Sequence, residues 1–272
     1  MKKTLLLLLC SYIFAVGEAA AIFLLIAPGA GVAGTGEAQV AKADNVYASY
    51  YNPAGLGYLS GSELTVMHVN WLPNLADDIY YEFLAYRTSI PGIGTIGSHL
   101  IYLNLGEQLQ TDEVGNELGT FGSNMWALTA SFGSAITTSS SIGLSFKVIQ
   151  QNLAPSGAGV EEKEGSSTNV LFDIGYLKKF NRIRTNFGIA ISNIGPEIWF
   201  QDYDQRDPAP TNMKFGIYST IYNDQYNRLS ILADANKLLV AKYPSMDWNG
   251  DGIINNASSG HPESSHQDPW YR

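Results

Sequence analysis

Cysteine is almost absent from this 272-residue chain: Cys10 is the only one, and it sits inside an apolar stretch near the start. A mature chain that begins after that stretch has no thiol, so neither a disulfide framework nor cysteine chemistry operates in it. Positive charge is scarce as well. Sixteen Lys and Arg stand against 25 Asp and Glu, the net charge is −9 and no basic run occurs, which argues against a nucleic-acid partner held through its phosphates. Long hydrophobic runs are missing too. Beyond residue 16 no window reaches the roughly 20 apolar residues that a spanning helix needs. If the chain enters a membrane, it enters as strands.

What is present points to β structure. Hydrophobic residues make up 45% of the chain and charged ones 15%, so a large core or an apolar surface is available and disorder is excluded. Sixteen Tyr, 11 Phe, 5 Trp and 27 Gly favour strands and turns over helices. Residues 1–21 have the form of a signal peptide: Lys2 and Lys3, an apolar run over 5–16, then Ala19-Ala20-Ala21 as a small-residue cleavage site before Ile22. Leu7-Leu8-Leu9 ahead of Cys10 lacks the small residues of a lipoprotein signal. Residues 22–60 are rich in Ala and Gly, and the pattern predicts a short helix from Glu37 to about Tyr50, stopped by Pro53 and Gly55.

From residue 62 the chain changes to segments of about ten residues separated by Gly, Asn, Asp and Pro. Within 139–149, Ile142, Leu144, Phe146 and Val148 alternate with Ser141, Gly143, Ser145 and Lys147. The split recurs where Val170, Phe172, Ile174 and Tyr176 oppose Asn169, Asp173 and Gly175, and where Phe187, Ile189 and Ile191 oppose Asn186, Gly188 and Ser192. Phe215 and Ile217 oppose Lys214 and Gly216, Leu229 and Ile231 oppose Ser230 and Asp234, and Trp126, Leu128 and Phe132 oppose Thr129, Ser131 and Gly133. A soluble sandwich studs its outer faces with Lys and Glu and uses shorter strands. Here the polar faces carry Ser, Thr, Asn and Gly, as the lumen of a transmembrane barrel does, and the length suits a tilted crossing of lipid. The expectation is an all-β, transmembrane antiparallel β-barrel with strands over 61–240: near 62–70, 79–88, 93–104, 122–133, 139–150, 167–178, 183–193, 211–221 and 228–237. About nine strands, followed by a polar tail over 241–272, leave a bacterial barrel incomplete, since such barrels close with an even number; a fragment of a longer protein is expected.

Four stretches together resemble the PorV/PorQ family of outer-membrane proteins of the type IX secretion system, part of the FadL-like barrel group. They are Phe23-Leu24-Leu25-Ile26-Ala27-Pro28-Gly29-Ala30 running on to Gly34-Thr35-Gly36-Glu37-Ala38; Tyr50-Tyr51-Asn52-Pro53-Ala54-Gly55-Leu56; His68-Val69-Asn70-Trp71-Leu72-Pro73; and Ile191-Ser192-Asn193-Ile194-Gly195-Pro196 followed by Pro210-Thr211-Asn212-Met213-Lys214. The resemblance implies a FadL-like barrel whose segment 22–60 folds into the lumen as a plug or hatch carrying Asn52, Pro53, Ala54, Gly55 and Leu56. It also implies a cell outer membrane location, outer-membrane lipid around the wall, and partnership with secreted cargo proteins and other secretion components. Two rivals stay open: a FadL-like channel for hydrophobic small molecules, and a lipid A deacylase-like enzyme, which needs a nucleophile with a base beside it.

Other motifs carry less. Gly29-Ala30-Gly31-Val32-Ala33-Gly34 matches the dinucleotide fingerprint, but no βαβ pattern surrounds it, and a tight glycine-rich turn into the plug is expected. Asp247-Trp248-Asn249-Gly250-Asp251-Gly252 fits the first half of a calcium loop, with Asn255 in the ninth place, so Asp247, Asn249, Asp251 and Asn255 are candidate ligands for Ca2+. The twelfth place holds Ser258 instead of a bidentate Glu, and an ordinary Asp/Asn/Gly surface loop is the competing expectation. His261, Glu263 and His266 read as solvated tail, and Glu161-Glu162-Lys163-Glu164 as an exposed loop. No nucleophile elbow or His-Glu-x-x-His motif occurs, so no catalytic residues are assigned.

Overall fold

The computed structural model describes residues 19–74, 76–112, 114–154, 165–200 and 206–240, together with the backbone of 242–243 and 266–267. Nine strands form one antiparallel sheet in chain order: β1 (Ser62–Asn70), β2 (Ile79–Ile90), β3 (Gly94–Thr111), β4 (Glu117–Thr137), β5 (Ser140–Ala154), β6 (Gly165–Phe180), β7 (Thr185–Ile194), β8 (Asn212–Asn223) and β9 (Arg228–Leu238). All nine expected strands are there, and β3 to β5 run four to seven residues past their expected bounds toward the longer connections, where turns were read. Each strand pairs with the next, while β1 and β9 do not pair with each other among the described residues; the sheet is an open wall. One end of the wall has the short connections 91–93, 138–139, 181–184 and 224–227, and the other has the longer ones. A two-residue pairing joins Lys242–Tyr243 to His266–Gln267.

The wall is apolar on its outside. On β5, Ile142, Leu144 and Phe146 are 47%, 57% and 46% exposed, while Ser141, Ser145 and Lys147 between them are 0%, 4% and 4% exposed. The same inversion runs through Leu128 and Phe132 on β4, Phe172 and Ile174 on β6, and Phe215 and Ile217 on β8. A contiguous apolar surface spread over this many strands far exceeds what a water-soluble monomer presents, and it matches the lipid-facing band of a barrel. Among the described residues no helix is long and apolar enough to cross a membrane.

Residues 19–60 lie against the inner face. They form a 3-10 turn (Ile22–Leu25), two short helices, α1 (Ala30–Ala33) and α2 (Ala48–Tyr51), and a second 3-10 segment (Pro53–Tyr58). The expected helix over 37–50 shrinks to α2. Glu37 (φ 60) and Ala43 (φ 31) take left-handed backbone, and the Asn45 side chain accepts the Tyr47 N–H at 3.1 Å in a local turn, so the chain follows the wall in turns where propensity alone favours a helix. The glycine-rich stretch likewise becomes the one-turn α1, entered at Gly29 (φ 104). The polar lumen read from the alternation is also modified. Toward the end with the longer connections, Tyr81, Phe83, Ile101, Ile149 and Leu171 point inward and form one apolar core with Phe23, Leu24, Tyr50 and Tyr51 of the N-terminal segment. The inner face is dry here because the chain itself covers it.

Candidate functional site

The segment Asn52-Pro53-Ala54-Gly55-Leu56 lies fully buried at the centre of the inner face. Asn52 begins the second 3-10 segment, with Pro53 in its first position where a missing N–H costs nothing. Its side chain is satisfied at both ends: Oδ1 accepts the Ala54 N–H at 3.1 Å, and Nδ2 donates to the carbonyls of Val40 at 2.8 Å and of Tyr176 on β6 at 3.2 Å. One residue therefore caps a turn, ties two parts of the N-terminal segment together and fixes both to the wall. Ser141 on β5 donates to the Ala54 carbonyl at 2.6 Å. Gly55 is required by a close approach, since a Cβ there would meet the carbonyl and Cβ of Ala43.

The wall receives this backbone on a row of glycines. Gly133 pairs with Gly143, Gly143 with Gly175, and Gly188 with Gly216 across neighbouring strands. A side chain on Gly143 would strike the backbone of Pro53 and Ala54, on Gly175 the Asn52 amide oxygen, and on Gly188 the Val40 carbonyl. At Gly133 it would come within 2.7 Å of Leu56 Cβ, and at Gly216 within 2.8 Å of the Ala41 nitrogen. The row is a track on which the N-terminal segment lies backbone to wall. Sequence reasoning missed it, although each of these glycines sits on the polar side of an alternating segment.

Three polar clusters secure the segment and the wall beneath it. Asp234 on β9 accepts the N–H groups of Gln39 and Val40 at 2.8 and 3.0 Å. The hydroxyls of Tyr50 and Tyr51 donate to the carbonyls of Leu24 and Pro28, each at 2.9 Å; burial pushes both phenols well above their ordinary pKa, which keeps them protonated as donors. Deeper in the wall, Lys147 bridges Asp173 at 3.2 Å and the Asn193 side-chain carbonyl at 2.5 Å. Asn193 also donates its N–H to Asp173 at 2.7 Å, and its carbonyl accepts from Thr211 at 3.0 Å. The Ile191–Pro196 and Pro210–Lys214 stretches are thus bonded to each other across the long β7–β8 connection.

His99 on β3 lies 3.0 Å from the Ser49 hydroxyl. Both are buried, and His99 Nε2 has no hydrogen-bond partner among the described residues, so the carboxylate that would complete a nucleophile-base-acid relay is not found at this pair. The candidate calcium ligands Asp247, Asn249, Asp251 and Asn255 lie outside the described residues, as do His261, Glu263 and 161–164; for His266 only the backbone is described, and residues 1–18 of the signal lie outside as well.

No curated protein matches the chain. Among solved structures, the toluene transporter TodX of Pseudomonas putida is similar at a TM-score of 0.41 with 15% sequence identity; the match covers 72% of this chain and 65% of TodX, so the chain spans just under two thirds of that protein's length. The family model described as "Type IX secretion system protein PorV" matches residues 15–245. That stretch includes the N-terminal segment, the glycine track and all nine strands, and the chain belongs to the PorV family of type IX secretion system proteins, its N-terminal segment lying against the inner face of an open strand wall.

Proposed function

We propose that the protein is an outer-membrane, non-enzymatic component of type IX secretion that binds secreted cargo, or passes it on, through the exposed rim of its barrel wall. One observation carries the choice over solute conduction: the inner face from β3 to β8 is occupied by the chain's own N-terminal segment, seated backbone to backbone on glycines. With the inner face of those strands covered by the chain itself, partner contact falls to the connections beyond the membrane, such as the turn carrying Val114, which is 85% exposed. The apolar outer face supports the membrane location, because only lipid satisfies it.

Photo-crosslinkers placed at Val114 and in the other long connections of the protein in its native membrane test the proposal. Secreted proteins are expected among the crosslinked products, and cells lacking the gene are expected to retain those proteins in the periplasm. Normal secretion in such cells, together with uptake of hydrophobic solutes into vesicles that contain the protein, would replace this reading with the channel.

A further inference from the structure

We infer that a cup at the short-connection end of the wall, where the underside of the N-terminal segment meets β6 to β9, binds a phosphate-bearing anion. The cup has a volume of about 330 Å³, and its lining includes Lys42, Asp44 and Tyr58 from the N-terminal segment, Lys179 near the end of β6, Thr220 on β8 and Arg228 at the start of β9. Three cations from three distant parts of the chain converge there on one carboxylate. Asp44 pairs with Lys42 at 3.5 Å, and neither Lys179 nor Arg228 enters an ion pair among the described residues. Lys179 Nζ is held 3.6 Å over the centre of the Tyr58 ring, and Arg228 Nε donates to Asn223 at 3.0 Å, which leaves the rest of its guanidinium fork for a ligand. Tyr58 lines the cup as well, and its ring holds the Lys179 ammonium in place at the edge of the cup.

The charge selects the class of ligand. Three cations against one carboxylate leave a surplus of two, which matches a phosphate group carrying about −1.5 to −2 at neutral pH with three strong acceptor oxygens. Those oxygens face donors arriving from three sides. A peptide carboxylate brings one charge and two oxygens in a plane. Short connections of outer-membrane barrels lie on the periplasmic side, where lipid phosphate and soluble phosphate are both at hand, and the exposed Arg182 and Arg184 on the adjoining turn add to the attraction. A bound phosphate would pin Lys42 to β6 and β9 and so lock the N-terminal segment to the wall. The site stands whether or not the rim binds cargo.

The test uses the full chain, folded in a non-ionic detergent and titrated calorimetrically with inorganic phosphate and, separately, with dihexanoyl phosphatidic acid. Saturable binding is expected, with slower amide exchange over residues 42–59 in the bound state. At least a tenfold loss is expected in Lys179→Gln/Arg228→Gln, with a smaller loss in Lys42→Gln, each checked for folding by heat-modifiable gel migration. Binding of the lipid alone identifies a headgroup as the source, and binding of inorganic phosphate identifies a soluble one; both support the site. Three results overturn it: no binding of either probe, undiminished binding in folded Lys42→Gln and in the folded double variant, or tighter binding of a glutamate-rich peptide than of both phosphate probes.

Discussion

Replacing Gly143 by alanine adds a single methyl group at the middle of the glycine track, and its effect is opposite in sign to that of the same change elsewhere in the wall. A glycine in an open strand position is worse than alanine by about 0.5–1 kcal/mol, so Gly→Ala should stabilise there. Gly122 on β4 is such a place, with nothing within 4 Å of where a Cβ would sit. At 143 the methyl lands on the Pro53 carbonyl and the Ala54 nitrogen, which are backbone atoms and cannot rotate away. Restoring ordinary contact moves that backbone by about 1 Å. Overpacking of this kind costs about 1–3 kcal/mol. The shift also strains the Ser141 bond to Ala54 and the Asn52 bonds to Val40 and Tyr176, each worth about 0.5–1.5 kcal/mol. A net loss of about 3 kcal/mol in attachment of the segment follows, or about a hundredfold in the open population. Ser49, wholly buried under the segment, serves as reporter once changed to cysteine in a chain without Cys10. Maleimide labelling at 49 should be slow in the parent and in Gly122→Ala, and about a hundredfold faster in Gly143→Ala. Labelling rates of the two variants within about threefold of each other, the range of ordinary surface substitutions, would refute the close-packed track.

Three further outcomes are expected. Phe146→Arg, midway along the exposed face of β5, should cost about 2–4 kcal/mol in urea unfolding from vesicles, as for a charge at the bilayer midplane; a change under about 0.5 kcal/mol would mean that water wets this face. Lys147→Ala leaves the Asp173 carboxylate buried beside Asn193 without its cation and should cost about 3–5 kcal/mol, much of it recovered in Lys147→Met/Asp173→Leu. In the β8–β9 turn, the Tyr222 hydroxyl and then the N–H groups of Tyr226 and Asn227 depress the Asp224 carboxyl to about 2. Because the folded value lies below the unfolded value of about 3.9, the turn keeps its full support above pH about 4 and loses it as pH falls through about 2; the protection of the Tyr226 and Asn227 amides relative to their intrinsic exchange rates should fall in that window and not at pH 5.

The wall was legible in the sequence because side-chain direction along a strand has a period of two, and residues such as Leu144, Ser145 and Phe146 declare their faces without tertiary information. The same signal, less clean in the first three strands, gave the existence of all nine but not their ends: the fourth was expected from residue 122, and β4 starts at Glu117 and runs on through Gly119. The N-terminal segment was harder. Its shape answers to contacts with β6 to β9, such as Asp234 on Gln39 and Val40, and no local propensity encodes a partner nearly two hundred residues away. The track was visible in pieces, as Gly143, Gly175 and Gly188 at polar positions, but only the register aligns them under one backbone. His99 and Lys147 gave no sign of burial, because a lone cation or imidazole between small residues looks the same facing water or facing a neighbour.

The bond from Asp234 to Gln39 spans 195 residues. During synthesis the amides at 39 and 40 emerge early, yet their acceptor belongs to the ninth strand, and glycines 188 and 216 that cradle Val40 arrive only shortly before it. Closure over such a separation is slow, because chain entropy is spent before the contact repays it. The earliest part of the protein is therefore the last to be fastened, and whatever machinery inserts the wall must handle a leader that stays loose until most of the sheet has been laid down.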